Sequence, residues 1–231
     1  MKTLGIIGGV GPESTIEYYR SIIASYRESK NNNTYPSIII NSVDLQKLLN
    51  WMNANELALV ADYLVDGIQT LARAGADFGI ISAGTPHIVF DEVRRRSPIP
   101  LISIVEATCE RAKRLTLKKV GLLGTRFTMQ GQFFSDVFSR DGIQIVVPNE
   151  DEQTYIHDKY FGELVRGVIL EETRNRLVAI VERMKNQQGI EGLILGGTEL
   201  SLILRDDTAA GIPLLDATKL HVKAVVRELV S

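Results

Sequence analysis

The chain has 231 residues, 45% of them hydrophobic and 23% charged, with a formal net charge of −2. That composition is ordinary for a globular core and excludes a disordered chain, and the length suits one large domain or two lobes of roughly 100 residues each. The near-neutral charge gives no electrostatic reason to expect nucleic acid or an anionic membrane as partner, and no apolar run reaches the ~18 residues a membrane span needs.

Met1–Gly5 runs directly into a strand-like segment, without the longer apolar stretch and small-residue cleavage site of a signal peptide. The one cysteine, Cys109, allows neither an internal disulfide nor a cysteine-based zinc site. Both features lead to an expectation of a cytoplasmic protein.

In chain order, short apolar or β-branched runs alternate with longer amphipathic stretches. The runs are Leu4–Ile7, Ser37–Asn41, Phe78–Ser82, Leu101–Ile104, Val120–Leu123, Ile143–Val147, Gly192–Leu195 and Pro213–Leu215. Most are apolar throughout, as strands covered on both faces are. Helical spacing marks Pro12–Ser29, Asn55–Ala74, Thr173–Asn186 and Ala217–Leu229, the first opening with Pro12 and Glu13 in its first turn. This alternation predicts an α/β fold with mainly parallel sheets and right-handed crossovers.

A weak internal repeat accompanies it. Gly5-Ile6-Ile7-Gly8-Gly9 is echoed by Gly121-Leu122-Leu123-Gly124-Thr125, and Ile81-Ser82-Ala83-Gly84-Thr85 by Ile194-Leu195-Gly196-Gly197-Thr198, at near-equal intervals. The expectation is two pseudo-symmetric lobes, residues 1–100 with 211–231 and residues 101–210, each a parallel sheet flanked by helices. Ligands of parallel sheets bind beyond the carboxyl ends of the strands. Gly8–Thr15, Ala83–His87, Thr125–Met129 and Gly197–Leu200 sit at such ends, so a ligand cleft between the lobes is expected to be lined by them.

Each turn has a structural and a functional reading. Gly8–Thr15 is a glycine-rich strand-to-helix turn whose backbone N–H groups suit a carboxylate or phosphate, or else a tight turn with Ser14 and Thr15 bonding locally. It lacks the third glycine of the dinucleotide fingerprint, although Asp44 could mimic the ribose-binding acid of that motif. In Ala83–His87, Pro86 suits a first helical position and Thr85 an N-cap, while His87 is either a catalytic acid–base group or a first-turn residue bonding nearby backbone. In Gly197–Leu200, Thr198 suits an N-cap, and Glu199 either complements the helix dipole or serves as a base. Thr128 could cap its helix, and Thr125 could hold a carboxylate. The segment Glu150–Thr154 reads as a solvated helix start. His87, His157 and His221 lack metal-ligand spacing, so no metal is expected. No Gly-x-Ser-x-Gly elbow occurs.

Together these turns resemble the aspartate/glutamate racemase family, nearly end to end. The matching stretches are Gly5–Gly9 with Glu13-Ser14-Thr15, Thr85-Pro86-His87, Leu122–Thr125 with Thr128-Met129, and Leu195–Leu200. Val147-Pro148 before an acidic run and Phe161-Gly162-Glu163-Leu164 before Gly167 also fit. The resemblance implies a cofactor-independent amino-acid racemase, in which one cysteine thiolate removes the α-proton of an acidic amino acid and an opposing thiol returns one. Cysteine suits this work because its pKa can be tuned near neutrality.

The family's cysteines begin a Cys-Asn-Thr triplet and sit within Gly-Cys-Thr-Glu. Here Ala83 and Gly197 occupy those catalytic positions, and Gly84 replaces the asparagine. Cys109 lies in a helical stretch and reads as a buried apolar thiol. The two-thiol route is therefore closed, and Glu199, His87 or a threonine would have to act as base. Gly9, Ser14, Gly84, Thr85, Thr125, Thr128 and Thr198 are the expected substrate-binding residues. Lys47, Lys159 and Arg166 are candidates for a side-chain carboxylate. Two alternatives stand beside the racemase: a catalytically silent binder of small carboxylates or amino acids, and an isomerase or lyase using other residues. The expected partner is a small amino acid or dicarboxylate, with no cofactor, nucleic acid or membrane, and a homodimer is the expected assembly.

Overall fold

The computed structural model describes residues 2–30, 33–206 and 208–231. They divide into two units, Met1–Ser103 with His221–Ser231, and Ile104–Leu220. Residues 211–220 were expected in the first lobe. They belong to the second because their strand pairs there, as described below.

The first unit runs β1 (Thr3–Gly8), α1 (Pro12–Lys30), β2 (Ser37–Ser42), α2 (Leu45–Asn53), α3 (Leu57–Arg73), β3 (Phe78–Ile81), a 3-10 turn over Thr85–Val89 and α4 (Phe90–Arg96). Its sheet is parallel in the order β2-β1-β3. The expected strand Leu101–Ile104 shrinks to one parallel bridge between Gly79 and Leu101. Pro98 and Pro100 cannot donate ladder hydrogen bonds, and Ile104 already begins a helix. On one face Leu4, Ile6, Phe78 and Ile80 pack with Tyr18, Ile22 and Tyr26 of α1 and with Val222, Val225, Val226 and Leu229 of the closing helix Ala217–Val230. On the other face α3 comes so close that a Cβ at Gly5 would stand 2.9 Å from Ala76 and 3.1 Å from Leu71.

The second unit runs α5 (Ile104–Arg114), β4 (Lys119–Leu123), α6 (Arg126–Gln130), α7 (Phe133–Ser139), β5 (Gln144–Val146), α8 (Glu150–Gly162), α9 (Glu171–Arg183), a π turn over Met184–Gln188, β6 (Gly192–Leu195), α10 (Leu200–Ile203), β7 (Thr208–Ala209) and β8 (Ile212–Asp216). The strand order is β5-β4-β6-β8-β7, parallel except for the antiparallel β7–β8 pair. Because β8 pairs with β6, residues 212–216 belong to this sheet. Successive residues face opposite sides, and both sides are covered. Leu123, Leu193 and Leu195 meet α8 and α9, while Val120, Leu122 and Ile194 meet α5 and α7.

The first three strands of each unit share an order, with the opening strand in the middle. The Gly79–Leu101 bridge repeats the place of β8 beside β6. Among the described residues no helix is long and apolar enough to cross a membrane.

Candidate functional site

In the first unit, β1 ends at Gly8 and the chain turns through Gly9 and Gly11, with φ of 79° and 108°. A Cβ at Gly9 would stand 2.3 Å from the Val43 carbonyl oxygen, so both φ and space demand glycine there. The Gly9 N–H donates to the Thr15 hydroxyl at 3.0 Å, and Thr15 Oγ1 donates to the Gly11 carbonyl at 3.2 Å. Buried Ser14 donates to the Ser82 carbonyl at 2.6 Å, and Ser82 donates to the Ile7 carbonyl at 3.0 Å. The turn is thus tied back to the end of β3 by its own hydroxyls. Asp44 is the N-cap of α2, its carboxylate accepting from the N–H groups of Gln46 and Lys47 at 2.8 and 3.4 Å. That role replaces the ribose-binding one.

Ala83 and Thr85 are half-buried, and Gly84 is buried. Gly84, not Thr85, precedes the 3-10 turn as its cap, and the His87 N–H donates to the Gly84 carbonyl at 2.9 Å. The His87 ring is buried and stacked on Phe90 with centroids 4.6 Å apart. Its Nδ1 lies 2.9 Å from the Ala83 carbonyl oxygen, which can only accept, so Nδ1 carries the proton. His221 lies edge-on, 6.2 Å away. By the same logic its Nε2 donates to the Ile102 carbonyl at 2.9 Å, and its Nδ1 accepts from the Tyr18 hydroxyl at 2.8 Å. Burial, with His221 adding to it, pushes His87 down to about 3, and burial pushes His221 to about 4. Both rings are neutral at neutral pH. Two histidines distant in sequence therefore meet in space, yet no group of three or more metal-ligating side chains forms among the described residues.

In the second unit, β4 ends at Gly124 and Thr125 is the N-cap of α6, its hydroxyl accepting from the Thr128 N–H at 3.3 Å. The Thr125 and Thr128 hydroxyls lie 3.1 Å apart, both buried. Thr128 fills the space beneath two glycines: a Cβ at Gly124 would stand 2.8 Å from its methyl, and one at Gly196 3.0 Å. The cap expected of Thr128 belongs to Thr125.

After β6, Gly197 and Thr198 are half-buried and Glu199 is buried. The short α10 has no side-chain cap, so Thr198 does not cap it. Tyr160 on α8 fills the space over Gly197: a Cβ there would stand 2.5 Å from the phenol oxygen and 2.6 Å from a ring carbon. No real Cβ tolerates such distances, so residue 197 cannot carry a side chain while Tyr160 holds its place. The Tyr160 hydroxyl donates to Glu199 Oε2, and the Thr198 side chain and the Glu199 backbone N–H both bond the same phenol oxygen. Burial, then the Glu199 carboxylate, hold the phenol well above the usual tyrosine range.

Sequence reasoning missed Tyr160. It sits among several aromatics of α8, and nothing in its spacing distinguishes it. The absent side chain at Gly197 was the one available signal. The same helix starts with a capping box: Asn149 Oδ1 accepts from the Glu152 N–H at 2.9 Å and Glu152 from the Asn149 N–H at 3.2 Å. Glu152 is buried and paired with Arg183 at 2.5 Å, so this helix start is not wholly solvated. Among the expected basic residues, Lys159 pairs with Glu163, which also accepts from Thr173 at 2.6 Å, and Lys47 lies over the Tyr63 ring at 5.7 Å.

Each unit is an α/β unit in which glycine-ended parallel strands lead into helical turns. A family model of Asp/Glu/hydantoin racemases matches residues 7–225, and the chain belongs to that family. The broad specificity amino-acid racemase RacX of Bacillus subtilis is 23% identical over 226 residues, with 96% of each chain covered. An Asp/Glu racemase candidate from Yersinia pestis has a solved structure with a TM-score of 0.92 and 30% identity, and an aspartate racemase homologue from Pyrococcus horikoshii one with a TM-score of 0.86 and 33% identity. Both comparisons cover 100% of each chain.

Proposed function

We propose that this protein binds a small amino acid or dicarboxylate, an acidic amino acid foremost, on the racemase scaffold, and does not invert it by the two-thiol route. One observation carries the reading: at Gly197, matched to a family cysteine, the space a side chain would need is filled by the Tyr160 phenol. Ala83, matched to the other cysteine, carries only a methyl group. Cys109 gives no substitute. It is buried on α5, lies 3.5 Å from Asp141 Oδ2, and is pushed up to about 12 by burial and then by that carboxylate. A thiol held so high supplies almost no thiolate at neutral pH.

His87 fits a positioning role. Its ring is neutral, and its Nδ1 proton holds the Ala83 carbonyl. Gly9, Ser14 and Thr128 shape their turns from within, as their buried hydrogen bonds and contacts indicate. Within each unit we assign ligand contact to strand-end hydroxyls and backbone N–H groups, those of Gly84 and Thr85 in the first and of Thr125 and Thr198 in the second. The acidic preference follows the family description and is supported by a solved glutamate racemase of the same fold, from Francisella tularensis, in complex with D-glutamate, a fold-level likeness at 15% identity.

Thermal denaturation with and without each enantiomer of aspartate and glutamate tests the reading. Saturable stabilisation by at least one of them, with its optical rotation unchanged after prolonged incubation, is expected. Full inversion of the bound amino acid would defeat the proposal, and so would the absence of any stabilisation.

A further inference from the structure

The space above Gly197 is not merely closed. It holds a hydroxyl that donates to a carboxylate and is itself bonded by two further groups. The Tyr160 phenol oxygen lies 2.5 Å from where a side chain at residue 197 would begin. Its proton is directed at Glu199 Oε2, and the Thr198 side chain and the Glu199 backbone N–H bond the oxygen. Burial and the Glu199 carboxylate keep the phenol protonated, so it can act only as a relay that takes up one proton as it passes its own to Glu199. The ring is part of the second unit's buried core and meets Phe161 edge-on, with ring centres 5.5 Å apart. Gly197 and Thr198 stay half-buried, so the pair lies just beneath the surface of its unit.

We propose that Tyr160 and Glu199 form a one-sided acid–base couple, which removes and returns the α-proton of a bound amino acid from the same face. The proposal rests on the binding reading above. In the forward step the phenol oxygen takes the α-proton as its own proton moves to Glu199 Oε2, so that the phenol stays neutral and the carboxylate is the net base. The electron pair of the broken carbon–hydrogen bond stays on the substrate, delocalised into its carboxylate. In the return step the hydroxyl gives its proton to the same face of the α-carbon as Glu199 returns its proton to the phenol oxygen, which restores the phenol and the ionised carboxylate. Nothing is oxidised or reduced. Solvent exchange at the hydroxyl between the two steps replaces hydrogen by deuterium. Inversion would need a second proton donor on the opposite face of the α-carbon, which the couple does not supply.

The test is proton NMR of L- and D-aspartate and L- and D-glutamate with the 231-residue protein in deuterium oxide, with chiral chromatography of the same samples. Thermal stabilisation by each ligand is measured in parallel. The expected result is loss of the α-proton signal of one enantiomer with its configuration retained. Tyr160→Phe and Glu199→Gln should each slow that loss by about 10²–10⁴-fold. Circular dichroism establishes that each variant is folded, and ligand stabilisation should survive in at least Glu199→Gln, which keeps an acceptor for the phenol. Exchange that persists undiminished in both variants, or that proceeds with racemisation, overturns the couple. Stabilisation of the wild-type protein without exchange overturns the couple and leaves the binding reading standing. No stabilisation and no exchange removes both.

Discussion

At the scale of single residues, Gly197 and Tyr160 are one unit of design. Gly197→Ala should cost about 1–3 kcal/mol, because the new methyl overlaps a buried ring held at its hydroxyl. In a Tyr160→Leu background the same substitution should cost much less, a non-additivity that a double-mutant cycle in urea would read. Equal costs in both backgrounds would show that the ring moves aside freely. The histidines give a second prediction. In the folded chain His87 and His221 stay neutral down to about 3 and 4, against 6.5 for an unburied imidazole. Below pH 6.5 the unfolded chain therefore binds protons that the folded chain refuses. Stability is full above that pH and falls as the pH drops towards 4, approaching about 1.4 kcal/mol per pH unit for each histidine. Arg94, beside His87, reinforces the refusal. Denaturant midpoints measured between pH 7 and 4 should trace the fall, and His221→Gln should roughly halve its slope.

At the scale of elements, helix α8 joins a capped start to a side chain that fills the space over Gly197. It presents Tyr160 to Gly197 and is started by the Asn149–Glu152 capping box. Asn149→Ala should lower stability by about 1 kcal/mol, read by thermal or chemical denaturation. The elements were also the most legible level of the sequence. Apolar runs over Leu4–Ile7, Val120–Leu123 and Gly192–Leu195 announced strands buried on both faces, and these strands are so buried. Leu101–Ile104 misled because its composition is that of a strand while its flanking prolines deny it a ladder. Thr85 and Thr198 look like N-caps by position, yet Thr85 is already the first residue of the 3-10 turn that Gly84 precedes, and Thr198 stands one residue before Glu199, which precedes α10. The turns themselves were found from glycine and hydroxyl patterns. The groups that act across space were not: Tyr160 over Gly197 and His87 against His221 depend on packing between elements distant in sequence, which local spacing does not encode.

At the scale of the whole molecule, the closing helix Ala217–Val230 serves two cores. Ala217 and Leu220 pack in the second unit, and Val222, Val225, Val226 and Leu229 in the first. This explains why a sequence-based boundary at residue 210 put a strand of the second sheet into the wrong lobe: the chain leaves that sheet only after β8. Lys223 is exposed, so Lys223→Pro removes no core contact but interrupts the helix at a cost of about 3 kcal/mol or more. The sole tryptophan, Trp51, lies on α2 in the first unit against Tyr63. Its fluorescence midpoint in urea should fall in the variant. An unmoved midpoint would mean that the first unit's core holds without the second half of that helix.

The interlock of Gly197 and Tyr160 also has a consequence for mutational history. A single codon change that put cysteine at residue 197 would place its side chain against an occupied volume. Trimming Tyr160 first would leave Glu199 without its phenol donor and open a void in the core. Either order of single changes therefore passes through a damaged intermediate, so the two positions can change only together.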